Sequence, residues 1–182
     1  MAVTALILYL VWAFLAFGWR TIDQRRRTGD SGLRLHAQPN TAQWWAKIGF
    51  AIAILVGVAA PLAAVAGLDN ITALDATWLH IAGIAVTLIG VLLTVAAQYS
   101  MGESWRIGVD PEERTELVTA GAFRLVRNPI FTAMLITATG LAMIIPNVIS
   151  ILGLVALFVA LEVQVRLVEE PYLRTVQGDE YR

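Results

Sequence analysis

The sequence predicts an all-α, polytopic integral membrane protein with five transmembrane helices, and three observations carry that class. Of 182 residues, 58% are hydrophobic and 15% are charged, whereas an ordinary soluble domain is roughly a quarter charged. The mean hydropathy is +0.69. Apolar runs also recur near the ~20 residues that an α-helix needs to cross hydrocarbon. The length fits a single domain, residues 1–182. Within it, 1–68 would hold two spans and a basic loop, and 76–182 a catalytic core.

The same composition excludes several classes of function. A net charge of −1 is no footprint for nucleic acid, which demands a basic excess. No cysteine is present, so disulfides, thiol catalysis and Cys-ligated metals are ruled out. The two histidines, His36 and His80, are far apart in sequence, and no metal site is expected.

In chain order, Val3 to Trp19 is the first apolar stretch. Its basic residues follow rather than precede it, the reverse of a signal peptide, so it reads as an uncleaved span with its N-terminus outside. Arg20 to Lys47 holds Arg25, Arg26, Arg27 and Arg34 and reads as a cytoplasmic anchor. Trp44 and Trp45 suit the interface before the second span, Ile48 to Leu68, in which Pro61 predicts a kink. Asp69 to Asp75 is short and acidic and fits the outer face. Trp78 to Ala97 is the third span, with Gln98 at its inner end and Gly83 and Gly90 small enough for close helix contact. A long polar stretch runs from Tyr99 to Asn128. Ile130 to Ile145 is a short fourth span, turned sharply by Pro146-Asn147 into the fifth, Val148 to Leu161. The result is a tight C-terminal helix hairpin with the C-terminus inside. The positive-inside rule turns the basic loop to the cytoplasm, and a bacterial inner (plasma) membrane is the expected location.

Candidate chemistry gathers at the inner mouth of that hairpin. Arg124 and Arg127 share one face of a helical turn, and Pro129 fits the first turn of the next helix. Unsatisfied N–H groups and two guanidiniums there would seat an anionic group. Glu162, Arg166, Glu169 and Glu170 follow helical spacing beyond the fifth span, as in a salt-bridge ladder. Carboxylates this near a bilayer are also candidates for function. With no nucleophile–base pair, metal cluster or phosphate loop, the inventory suits a reaction needing positioning and electrostatics. Methyl transfer from a sulfonium donor is one such reaction.

The run from Leu117 to Phe131, with Gly121, Phe123, Arg127, Asn128 and Pro129 in place, resembles the signature of the isoprenylcysteine carboxyl methyltransferase family and its phospholipid methyltransferase relatives. Tyr99 to Trp105, Arg166 to Glu170 and Gly178 to Tyr181 resemble further stretches of the same family, so the likeness covers roughly the C-terminal half. Asn128 stands where the family has His, and Phe131 where it has Tyr. The first keeps hydrogen bonding without a cationic form, and the second loses a hydroxyl.

The resemblance implies S-adenosylmethionine held in a cytoplasmic pocket by Arg124, Leu125, Val126, Asn128, Pro129, Phe131, Glu169 and Glu170, with Gln98 nearby. It implies Arg127 as the residue orienting the acceptor. Trp105 and Arg106 would line the substrate entrance, or serve as an interfacial tryptophan with a snorkelling arginine. The acceptor would be a small hydrophobic or lipid-like molecule entering from the bilayer. A prenylcysteine carboxylate is the leading class, with a lipid amine or thiol as alternatives. Two other readings stay open: a nicotinamide-dependent membrane reductase of the sterol-reductase type, and a non-catalytic membrane scaffold.

Overall fold

Among the described residues, alternating apolar stretches and polar breaks fold into five apolar helices: α1 Ala2–Thr28, α2 Ala42–Val65, α3 Thr77–Ser100, α4 Pro129–Ile144 and α5 Val148–Glu169. The computed structural model describes residues 1–108, 121, 126 and 128–171. Among these residues, four helices are long and apolar enough to cross a membrane, and α4 is a shorter apolar helix. The protein is a polytopic helical membrane protein. The C-terminal ends of α1, α3 and α5 and the starts of α2 and α4 share the end that carries Arg25, Arg26 and Arg27, here the basic end. The 66–76 connection, with Asp69 and Asp75, marks the acidic end.

Helix α1 continues through the polar residues Arg20–Thr28 instead of stopping at Trp19. Arg and Gln are good helix formers, and Gly29, at φ 79°, closes the helix by donating its N–H to Arg25 O at 2.9 Å. Its buried residues are Ala5, Tyr9, Trp12, Ala16, Arg20 and Gln24. Their three- and four-residue spacing makes one stripe along one face. The apolar part packs with Ala53, Met134, Leu157 and Leu161 of the other helices. Tyr9 Oη donates to Ile54 O at 2.6 Å, so a polar atom inside the bundle is satisfied.

The closest helix pairs are α3 with α4 and α2 with α5. Gly83, Thr87, Gly90 and Thr94 form a buried seam on α3, facing Ala133, Thr137, Gly140 and Ile144 on α4. Both series follow a four-three-four spacing, so one seam lies along the other. A Cβ added at Gly83 would stand 2.8 Å from Gly140 O and from Ile144 N. Lipid gives apolar helices no hydrophobic drive to associate, so such backbone proximity is what holds them. Thr87, Thr94 and Thr137 donate their hydroxyls to the carbonyls of Gly83, Gly90 and Ala133, at 2.8, 2.8 and 2.9 Å. The expected close contact at Gly83 and Gly90 is thus made within the chain.

The hairpin turn is fixed by Asn147, which is fully buried. Its Oδ1 accepts from Ser150 N at 2.8 Å while Ser150 Oγ accepts from Asn147 N at 3.1 Å, a reciprocal cap on α5. Asn147 Nδ2 also donates to Ala60 O of α2 at 3.3 Å. Ile71 N donates to Pro146 O at 2.8 Å, so the 66–76 connection covers the turn. The turn is therefore sunk beneath the acidic end. From it α4 returns through 16 residues, and α5 runs through 22. At ~1.5 Å per residue, α5 reaches about 9 Å further toward the basic end.

Candidate active site

That difference in length shapes the basic end: the start of α4 forms a floor, and the last turns of α5 stand above it. Pro129 is buried at the first position of α4, and Asn128 precedes it in a non-helical conformation (φ −127°, ψ 73°). The Asn128 carbonyl accepts from Thr132 N and Thr132 Oγ1, both at 3.0 Å. Its half-buried side chain makes no cap hydrogen bond to the helix it starts, which leaves the carboxamide for another partner. Phe131 packs on the core of the bundle, and Val126 is exposed. Arg124, Leu125 and Arg127 lie outside the described residues.

On α5 the expected ladder forms in part. Arg166 Nε pairs with Glu162 Oε2 at 2.6 Å on an exposed face. Glu169 instead accepts from Gln164 Nε2 at 3.3 Å, and both Glu169 and Glu170 are half-buried. The backbone over Val165–Glu169 widens into a π-helical stretch. A second such stretch, Phe14–Trp19, lies in α1. π-Helical insertions of this kind often mark functional sites. Gln98, buried at the end of α3, donates Nε2 to Ala16 O within the α1 stretch at 2.7 Å, so its amide N–H is engaged inside the bundle.

Trp105 is buried, with the Arg20 guanidinium 4.9 Å from its ring centroid and 5.6 Å from that of Tyr99. Arg20 itself is 2% exposed. It donates Nη2 to Gly102 O at 2.5 Å and Nη1 to Asp23 Oδ2 at 3.3 Å. One turn on, Gln24 donates Nε2 to Glu103 O at 2.6 Å. The polar end of α1 thus clamps the short turn Gly102–Ser104 that follows α3. A planar cation can stack on rings and fork to oxygens at once, which a lysine cannot.

The loop after α1 completes this wall. Arg34 N donates to Ile107 O and Ile107 N to Gly32 O, both at 2.8 Å, in a short parallel bridge between Leu33 and Ile107. Gly32 has φ 71°, and a Cβ there would meet Trp105 O at 2.9 Å, so only glycine fits. Arg34 pairs with Asp30 at 2.5 Å. That hydrogen bond, and behind it the Gly32 N–H, hold the Asp30 carboxyl down at about 2. Gln24, Asp30, Arg34, Glu103, Ser104 and Arg106 line a polar cavity of about 130 Å³ against Trp105. Trp105 and Arg106 both line this cavity.

Arg20 and Gln24 are the functional candidates that the sequence reading missed. The signal was present: they continue the 5, 9, 12, 16 stripe of α1 by whole turns. No group of three or more His, Cys, Asp or Glu residues suited to a metal occurs among the described residues.

Comparison with curated proteins and with solved structures returns no match. The model of the phospholipid methyltransferase family matches residues 78–180. That stretch begins with α3 and takes in the Asn128–Phe131 floor and the α5 carboxylates. With more than half of its length matched, and an all-helical membrane fold around it, the chain belongs to the phospholipid methyltransferase family of membrane methyltransferases.

Proposed function

We propose that the protein transfers a methyl group from S-adenosylmethionine to a lipid-like acceptor at the membrane surface, with the basic end in the cytoplasm. The family match over 78–180 carries this reading and favours it over reductase or scaffold.

The donor set suits such a cofactor. Glu169 and Glu170 supply acceptors for an amino group and ribose hydroxyls, and the Asn128 carboxamide has no capping duty. When bound, the cofactor supplies a methyl carbon already activated by its sulfonium charge. The chain's own work is then to align and to exclude water. Pro129 and Phe131 wall the floor with apolar surface. Arg124, Leu125, Val126 and Gln98 complete the cofactor side, and Arg127 orients the acceptor through its planar fork. Trp105 and Arg106 line the entrance. A lipophilic acceptor reaches this floor from the bilayer, a prenylcysteine-type carboxylate or a phospholipid amine being the two classes to assay.

Calorimetric titration of the detergent-purified protein with S-adenosylmethionine tests the reading. Saturable binding that is lost in Glu170→Ala is expected. No binding by a folded protein, or binding of a reduced nicotinamide cofactor alone, would overturn it.

A further inference from the structure

Helix α1 changes its winding part-way along. Its buried stripe ends in three consecutive four-residue steps, Trp12, Ala16, Arg20 and Gln24. At 3.6 residues per turn, three such steps overshoot by roughly 120°, about a third of a turn, so a continuous α-helix would carry Gln24 off the inner face. It would turn Asp23 inward instead, setting a carboxylate where the Glu103 carbonyl now accepts from Gln24 Nε2 at 2.6 Å. The π-helical stretch Phe14–Trp19 removes the conflict. A π-helical turn takes in one extra residue, which sets the helix beyond it back by about 100°. Arg20 and Gln24 face the 102–107 segment because of that residue.

The extra residue leaves its trace in the hydrogen-bond ladder. In a continuous α-helix Ala16 O accepts from Arg20 N. Here Arg20 N donates to Phe17 O, and the place at Ala16 O is taken by a side chain of another helix, Gln98 Nε2, at 2.7 Å. Ala16 and Gln98 are 1% and 4% exposed, so the bond lies inside the bundle, where an unpaired carbonyl is costly. Without that donor, the carbonyl regains a partner when the ladder closes to the α pattern and Arg20 N returns to Ala16 O.

We propose that Gln98 is a positioning residue: by occupying Ala16 O it holds the π-helical turn of α1, and so fixes the rotation at which Arg20 and Gln24 meet the Gly102–Ser104 turn and Trp105. The contact joins the matched region, which contains Gln98, to the part of the chain before residue 78, which contains Ala16. Closing the π-helical turn rotates Arg20 away from Gly102 O and from the Trp105 ring, which undoes the wall beside the proposed entrance. The consequence for acceptor entry rests on the methyl-transfer reading; the rotation itself does not.

The chain has no cysteine, so single cysteines can report the rotation. Asp23→Cys and Gln24→Cys are made separately in the full chain, and their labelling rates with a water-soluble maleimide are compared in detergent. With Gln98 in place, position 24 should be protected and position 23 the faster. In Gln98→Leu that order should reverse, which general loosening cannot mimic because it exposes both positions. Deleting Gly18 from the Gln98→Leu chain removes the extra residue, so a continuous α-helix then has the native phase and the original order should return. An order unchanged in Gln98→Leu, both rates rising together, or a reversal that the deletion does not undo overturns the proposal. If Gln98→Leu does not fold, the deletion should recover a folded protein, and failure to do so is equally decisive. In methyl-transfer assays, Gln98→Leu should raise the acceptor KM with kcat retained, and the deletion should reverse the rise. A loss of S-adenosylmethionine affinity that the deletion does not restore, with the labelling order unchanged, assigns Gln98 to the cofactor instead. If no methyl transfer is found at all, that reading fails alone and the labelling order still decides the rotation.

Discussion

Replacing Gly90 with alanine tests the α3–α4 seam, and the size of the effect follows from the geometry. The new Cβ would stand 2.6 Å from Thr137 N and 2.8 Å from its Cα, both backbone atoms that cannot swing aside. Restoring ordinary contact, 3.4 Å in place of 2.6 Å, means parting the helices by about 0.8 Å. A gap of ~0.5–1 Å forfeits roughly a quarter to a half of each dispersion contact, and overpacking of this kind costs about 1–3 kcal/mol. Gly-to-Ala exchange also stabilises a helix by up to ~1 kcal/mol, which would mask part of the loss. Gly49 on α2 supplies the control, since a Cβ there meets only Ala160 Cβ at 3.8 Å. Gly49→Ala carries the same helix gain without the clash, so the difference between the two variants isolates the seam. Gly90→Ala should fall below Gly49→Ala by about 1–3 kcal/mol when unfolding is followed in mixed micelles of increasing denaturing-detergent fraction. A Gly90→Ala protein as stable as Gly49→Ala would refute the claim that these backbones are in contact.

Four further outcomes are expected. Glu170→Ala should weaken S-adenosylmethionine binding at least about tenfold by calorimetry, and unchanged affinity would remove that glutamate from the site. Arg127→Lys should lower turnover more than donor binding, because charge stays while the fork is lost; equal losses would make it a cofactor anchor. The Asp30 carboxyl, held at about 2 by Arg34 and the Gly32 N–H, should titrate near that pH in carbon-detected NMR. A depressed carboxyl stabilises the loop above its unfolded value and loses that contribution as pH falls through about 2, and Arg34→Gln should move the midpoint up. Accessibility tags in the Arg25 region and after Pro171 should both report cytoplasm, and opposite sides would sink the assigned orientation.

Much of the framework was legible because it rests on local pattern. Apolar runs gave five helices, Pro146-Asn147 gave the turn, and Gly83 and Gly90 gave a close approach whose partner only the fold supplies. Glu162 and Arg166 pair as their spacing says, whereas Glu169 turns to Gln164 because the π-helical stretch shifts the register there. Arg20 and Gln24 were harder to read. A cationic stretch after a span is explained equally well by orientation in the membrane, and burial depends on partners some 80 residues away, at Gly102 and Glu103. The Leu33–Ile107 bridge has no periodic signature at all. The Asn128 floor could be marked from sequence, but its depth relative to Glu169 required the lengths of α4 and α5.

The sunken hairpin turn also makes the molecule one-sided. Asn147 and the 66–76 connection close the acidic end, so the candidate chemistry has only the basic end to work from. On the proposed methyl-transfer reading, a catalyst of this shape would act on the lipids of a single leaflet. Its product would accumulate on that side until something carried it across, and any methylated lipid in the opposite leaflet would measure transbilayer movement rather than turnover.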